Sequence, residues 1–206
     1  MLTRATLFLP IIIGLIAFTA CQSDYEKMVE RELASGIRHD SLFLGMHFGM
    51  TRDSFYRHCF ALNRQGLVTN GPQNNTVLYV IEGYRYTIDM NFYPDFEQDK
   101  IFKMPVVFNY QAWAPWTKDL YADKLVPDVL ELLTRWYGPG FLAKKTPDNK
   151  PFWVKVDGNR QILVSIQNER NVRAEISDLT VKVPAQKPPL PHAGDKRPVW
   201  EKKPAQ

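Results

Sequence analysis

Twice along this chain the spacing of apolar residues switches from a helical period to a strand period, in the same order each time. Over Phe55–Leu62, Phe55, Cys59 and Leu62 fall at 0, 4 and 7, with Tyr56 and Phe60 widening the stripe, which is helical spacing. Strand-like runs follow: Thr76–Ile81 is rich in β-branched and aromatic residues, and Tyr84–Phe92 alternates, with Tyr86, Ile88, Met90 and Phe92 on one face. A third run, Ile101–Tyr110, is notched by Pro105, which marks an edge or a bulge. The pattern then repeats. Leu125, Val129, Leu133, Trp136 and Tyr137 share one helical face, with Asp123 placed to cap it and Pro127 near its start. Phe152–Val156, Gln161–Ile166 and Asn171–Val181 follow as strands, the first two joined by an Asp157-Gly158 turn. Residues 51–110 and 123–181 therefore predict tandem αβββ units without residue-level identity. The expected fold is a two-layer α+β domain with an antiparallel sheet and helices on one face, spanning 41–181. Phe55, Cys59, Leu62, Val129, Leu133 and Trp136 are the expected core.

Before this domain, Tyr25, Met28, Val29 and Leu33 predict a helix over 24–34, stopped at Gly36. It either packs on the domain or stands it off from whatever holds the N-terminus. The apolar segment Leu42–Met50 ends in two glycines, and Thr51 then offers an N-cap with Asp53 in the first turn.

The first residues carry an address. Met1–Arg4 is a short positive region, and an apolar stretch from Leu7 to Ala20 is broken by Pro10 and Gly14. At roughly 14 residues it falls short of the ~20 needed to span a bilayer and fits the core of a secretory signal. Phe18-Thr19-Ala20-Cys21, followed by Gln22-Ser23, resembles the lipobox of bacterial lipoproteins, with Phe18 where Leu is usual. The resemblance implies removal of residues 1–20 and diacylglycerol on the Cys21 sulfur. It also implies a further acyl chain on the freed amine, each buried methylene contributing about 0.8 kcal/mol. Residues 21–40 then form a lipid-anchored N-terminal segment. With no Asp directly after Cys21, the sorting rules of such lipoproteins imply the outer membrane, facing the periplasm or the exterior.

Composition limits the function classes. Of 206 residues, 45% are hydrophobic and 13% aromatic, enough for a real core. Losing Arg4 with the signal lowers the net charge from +4 to +3, and the cations are scattered, which excludes a concentrated nucleic-acid-binding face. With Cys21 committed to lipid, Cys59 has no partner for an intramolecular disulfide. From Lys182 to Gln206 the chain holds 6 of the 15 prolines, five Lys and one Arg, and reads as a flexible basic tail or a tether for peptidoglycan, acidic glycan or a partner.

Gly49-Met50-Thr51-Arg52-Asp53 and Leu133-Thr134-Arg135-Trp136-Tyr137-Gly138-Pro139 resemble the helix boundaries of small α+β envelope lipoproteins. The small lipoprotein of the outer-membrane barrel-assembly machinery is one, and the tandem αβββ of the β-lactamase inhibitor protein is similar. The block from Ser41-Leu42-Phe43-Leu44-Gly45 through Asn91-Phe92-Tyr93-Pro94 resembles a group of uncharacterised envelope lipoproteins, which implies a shared fold and no function. The helix-boundary resemblance covers few residues and implies a binding or scaffold module without catalysis.

Candidate chemistry fails on spacing. His58 and Cys59 are neighbours about 100° apart on a helix, and Cys59 lies on the apolar stripe. Ser54 and His58 are four apart but have no orienting acid on that face. Asp95, Glu97 and Asp99 imitate a calcium loop, but Lys100 and Val106 stand where Gly and Glu are needed. His39, His47 and His192 make no metal spacing, and Asn74-Asn75-Thr76 is a glycosylation pattern without a pathway in a bacterial lipoprotein. No catalytic, cofactor or metal residue is expected. One constellation remains: Tyr110, Trp113 and Trp116 crowd a strand-to-helix connection, and Tyr93 and Phe96 lie near another turn. Such rings either plug the core or form a platform for a partner, sugar or lipid. The function expected is a lipid-anchored, non-enzymatic envelope module that binds another protein, with carbohydrate or lipid binding through the aromatic loop as the alternative.

Overall fold

A computed structural model describes residues 24–72 and 76–182. Three α-helices, α1 (Asp24–Ala34), α2 (Arg52–Arg64) and α3 (Ala122–Tyr137), pack on a nine-stranded antiparallel sheet. In chain order the strands are β1 (Val68–Asn70), β2 (Val77–Ile81), β3 (Ile88–Phe92), β4 (Asp95–Glu97), β5 (Lys100–Tyr110), β6 (Leu142–Lys145), β7 (Pro151–Asp157), β8 (Arg160–Ile166) and β9 (Val172–Asp178). The order across the sheet is β1-β2-β3-β5-β9-β8-β7-β6, with β4 pairing the start of β5. Each half is a helix followed by a meander, and the last strands of the two halves, β5 and β9, pair antiparallel at the centre. The strand sequence therefore reads the same from either edge. Each unit also gains a short outer strand, β1 and β6, which the periodicity of three or four residues was too brief to announce.

Alternation sorts the sheet into two faces. Met90, Phe108, Val172 and Ile166 stand side by side, as do Met104, Ile176 and Ile162, and all but Ile166 are buried. Phe55 of α2 and Leu125, Val129, Leu132 and Leu133 of α3 cover this face. Phe55, Leu62, Val129 and Leu133 are buried as expected, while Cys59 and Trp136 are half-buried at the rim. The Leu42–Met50 segment is irregular and fills the space between the helices: Phe43 meets Phe92 edge-on at 4.9 Å and Trp136 at 5.8 Å. Leu44 and Gly45 take positive φ to turn it.

Helix α1 lies on the reverse face. Met28 packs on Val154 and Val156, which point away from the α2/α3 layer, with Tyr25 and Val29 beside it. So α2 and α3 share one face as expected, and α1 covers part of the other. It runs parallel to β7: Asp24 at its start pairs with Lys144 near the end of β6 (3.2 Å), and Glu32 in its last turn accepts the Gly158 N–H (3.3 Å). The strap that follows is clamped to the β7–β8 turn, where His39 N–H donates to Asn159 Oδ1 at 2.6 Å and Arg160 donates to the Ser41 carbonyl at 2.9 Å.

Helix α2 is capped by Thr51 as its sequence indicates: the hydroxyl accepts from the Ser54 N–H at 3.3 Å. Helix α3 departs from expectation at its start. It begins at Ala122, whose N–H donates to the Glu169 carbonyl at 2.8 Å, so Asp123 lies inside the first turn and Pro127 beyond it. A tertiary partner replaces the side-chain cap.

Candidate binding groove and aromatic clusters

The five aromatic residues singled out in the sequence form two groups at opposite ends of β3. Tyr93 follows the end of β3, and Phe96 lies in β4; Phe55 meets them edge-on at 5.8 and 6.1 Å. Tyr110 pairs with Ile88 at the other end of β3. Five residues of strand hold the groups roughly 13 Å apart, so no single platform forms.

The two groups differ in exposure. Tyr110 is buried and donates its hydroxyl to Asp128 Oδ2 at 2.6 Å; burial, then the adjacent carboxylate, holds its proton on well above the usual tyrosine range. Trp113 is half-buried, 6.1 Å from Tyr121, with the Arg170 guanidinium 5.8 Å from its ring. Trp116 is 83% exposed. Its mount is fixed: Tyr121 donates to the Pro115 carbonyl at 2.6 Å, and Lys118 Nζ donates to the Tyr121 hydroxyl at 2.7 Å. At the other end, Tyr56 and Tyr93 share a hydroxyl hydrogen bond of 2.6 Å, and the Arg52 guanidinium stacks 3.9 Å above Phe96. Cys21, the expected lipid site, lies outside the described residues, as do His192, Asn74, Asn75 and the tail beyond Lys182.

The Tyr93 end opens into a groove of about 1020 Å³ between α2 and the β1–β2 edge. Tyr56, Cys59 and Phe60 form its helical wall, and Val68 and Val77 its strand wall. Phe60 is 66% and Tyr56 50% exposed. The walls are set by Asn63, whose Nδ2 donates to the Val68 carbonyl at 2.8 Å and ties the end of α2 to β1. In the sequence these rings looked like a widened core stripe. The sign that they do more is the width itself, because a helix over one sheet buries one stripe and leaves the flanking positions outside.

Of the side chains weighed as catalytic or calcium candidates, Ser54, His58, Asp95 and Asp99 take other partners. Burial pushes the Cys59 thiol up to about 11, which keeps it protonated near neutral pH. His58 turns its Nε2 to the Leu44 carbonyl, 2.6 Å away, and Ser54 Oγ accepts from the Thr51 hydroxyl at 3.0 Å. Asp95 pairs with Lys103 (3.0 Å), and Asp99, at positive φ in the β4–β5 turn, pairs with Arg52 (3.3 Å). Among the described residues no three His, Cys, Asp or Glu side chains converge as a metal cage would require. Set against family models, curated proteins and solved structures, the chain matches none of them.

Proposed function

We propose that this chain is a lipid-anchored, non-enzymatic protein of the bacterial cell envelope that binds another protein through the α2/β1–β2 groove. The observation that carries the reading is the pair of exposed rings, Phe60 and Tyr56, on one wall of an open, largely apolar groove. Large apolar side chains left in water beside a concave surface mark a contact site. The groove lies at the upper end of the ~300–1,000 Å³ range of small-molecule sites and is open along an edge strand, which suits side chains of a partner segment. The lipobox-like Phe18–Cys21 supplies the anchor and the envelope address, with the outer membrane favoured by Gln22-Ser23. A second reading, sugar or lipid binding by the Tyr110–Trp116 loop, is favoured by the exposure of Trp116.

Affinity capture of the full chain from detergent-solubilised membranes tests the first reading. A stoichiometric protein partner is expected, retained by wild type and lost with Phe60→Asp. Retention of glycan instead, with loss on Trp116→Ala, would replace the first reading by the second. Anchoring is tested separately: Cys21→Ser is expected to move the protein to the soluble fraction.

A further inference from the structure

The register of the sheet places Trp116 and the approach to Cys21 at one and the same end of the domain. Tyr110, the last residue of β5, lies level with Ile88, and Phe108 with Val172 at the start of β9. Val172 in turn pairs with Ile166 at the end of β8, and Ser165 with Phe152 near the start of β7. The β5–α3 loop carrying Trp116, the β8–β9 turn and the β6–β7 turn therefore crowd one end of the sheet. Helix α1, running parallel to β7 from Lys144 toward Gly158, turns its N-terminus to that same end. Cys21 is three residues before Asp24, at most about 10 Å of extended chain. Because α1 is packed on Val154 and Val156, it is no swinging tether. The other end of the domain holds the strap, the β7–β8 turn and Lys182, where the described chain ends beside Asp178.

We infer that Trp116 is a second membrane contact, seated at the headgroup level of the bilayer that holds the Cys21 lipids, so that this end of the sheet faces the membrane. This rests on the lipid-anchor reading of Cys21. An indole is suited to that position, because its apolar body and N–H donor match the boundary between acyl chain and water. The loop is built to present it: Trp113 and Tyr121 pin the mount while Trp116 stays 83% exposed. Arg85 lies opposite Asp119 (3.8 Å) and Lys150 opposite Asp148 (2.7 Å), while Lys118 and Arg170 add cations beside Tyr121 and Trp113. The indole supplies the apolar contact, and these cations suit the phosphate level of the headgroups. The consequence is a fixed orientation, with the α2 groove on the side of the domain and Lys182 pointing away from the bilayer.

The test uses the acylated full chain, purified in detergent and reconstituted into phosphatidylethanolamine–phosphatidylglycerol vesicles containing a lipid brominated near the headgroup. Quenching of tryptophan emission is expected for wild type and is expected to drop sharply with Trp116→Phe, leaving only what reaches Trp113 of the same loop and Trp153 near the start of β7. Ile37, 56% exposed on the strap at the far end, supplies the control: Ile37→Trp in the Trp116→Phe background should add emission that is not quenched. Quenching that Trp116→Phe leaves undiminished, or that Ile37→Trp increases, overturns the inference. So does absence of quenching in a protein that floats with the vesicles. A wild-type chain that fails to float overturns the anchor reading and this inference with it, and flotation distinguishes that case from the others.

Discussion

The Arg38 guanidinium lies 2.9 Å from the Asp178 carboxylate, joining the strap after α1 to the end of the last strand. Asp178 is 5% exposed. Burial alone would raise its affinity for a proton, but hydrogen bonds from the Thr180 hydroxyl and N–H, from Asn159 and from Arg38 together outweigh burial and hold the carboxyl below its usual value. A carboxyl lowered in the native state stabilises it above the unfolded value of about 3.9, and that stabilisation is lost as pH falls through the lowered native value. Asp178→Asn is therefore expected to cost about 1–3 kcal/mol at pH 7. The gap between the two proteins should narrow below about pH 4. Denaturant titrations at pH 7 and pH 3 check this, and a gap that ignores pH would show that the carboxylate charge is idle.

Gly158 is the point at which strap and sheet come closest. It takes φ +51, and a Cβ there would lie 2.2 Å from the Ile37 carbonyl oxygen, a backbone atom that cannot rotate away. Gly158→Ala is expected to destabilise by about 2 kcal/mol or more and to speed hydrogen exchange at the His39 amide. Gly36→Ala shares the positive φ (+66) but meets nothing within 4 Å, so it should cost only the roughly 1 kcal/mol of the backbone conformation. Equal losses at the two positions would show that the strap is not held against the turn.

Three apolar truncations should rank by burial. Leu133→Ala, in the α3 core face, is expected to cost about 2–5 kcal/mol. Trp113→Ala removes a half-buried ring and should cost about 1–3 kcal/mol. Trp116→Ala should lie within about 0.5 kcal/mol of wild type, because water already surrounds the ring. One set of thermal melts checks the ranking; a Trp116→Ala loss as large as that of Leu133→Ala would place the indole in the core.

The sequence made the architecture legible wherever periodicity ran long. Asp24–Ala34 was readable to its last residue, since Met28 and its neighbours are spaced for a face and Gly36 ends it. The alternation of Ile88, Met90 and Phe92 likewise marked a buried strand face. Periodicity is silent on which side of a sheet a helix packs, so the placement of α1 opposite α2 and α3 appeared only with the register. Strand pairing also decided the fate of the candidate site. Tyr93 and Tyr110 are 17 positions apart in sequence, and the run Ile101–Tyr110 between them, once paired antiparallel with Tyr84–Phe92, puts them at opposite ends of β3. Phe60 hid for a different reason, because a ring beside a core stripe looks the same in sequence whether it is covered or exposed.

Cys59 reports on the groove that these rings line. Its thiol value of about 11 follows from burial, so near pH 7.5 its thiolate fraction is about 300-fold below that of a free cysteine at ~8.5. The higher basicity restores roughly tenfold in intrinsic nucleophilicity, leaving alkylation about 30-fold slower. In the Cys21→Ser chain, Cys59 is the remaining cysteine, and iodoacetamide should label it slowly at pH 7.5. The rate should keep rising about tenfold per unit toward pH 11, with no plateau near 8.5. Phe60→Ala opens the wall beside it and should bring the plateau down toward the free-thiol value, because water then reaches the sulfur. A partner segment seated between α2 and β1 should do the reverse and suppress labelling at every pH. If wild-type labelling already levels off near pH 8.5, the thiol is open to solvent and the groove wall is looser than the packing of Phe55, Tyr56 and Tyr93 indicates.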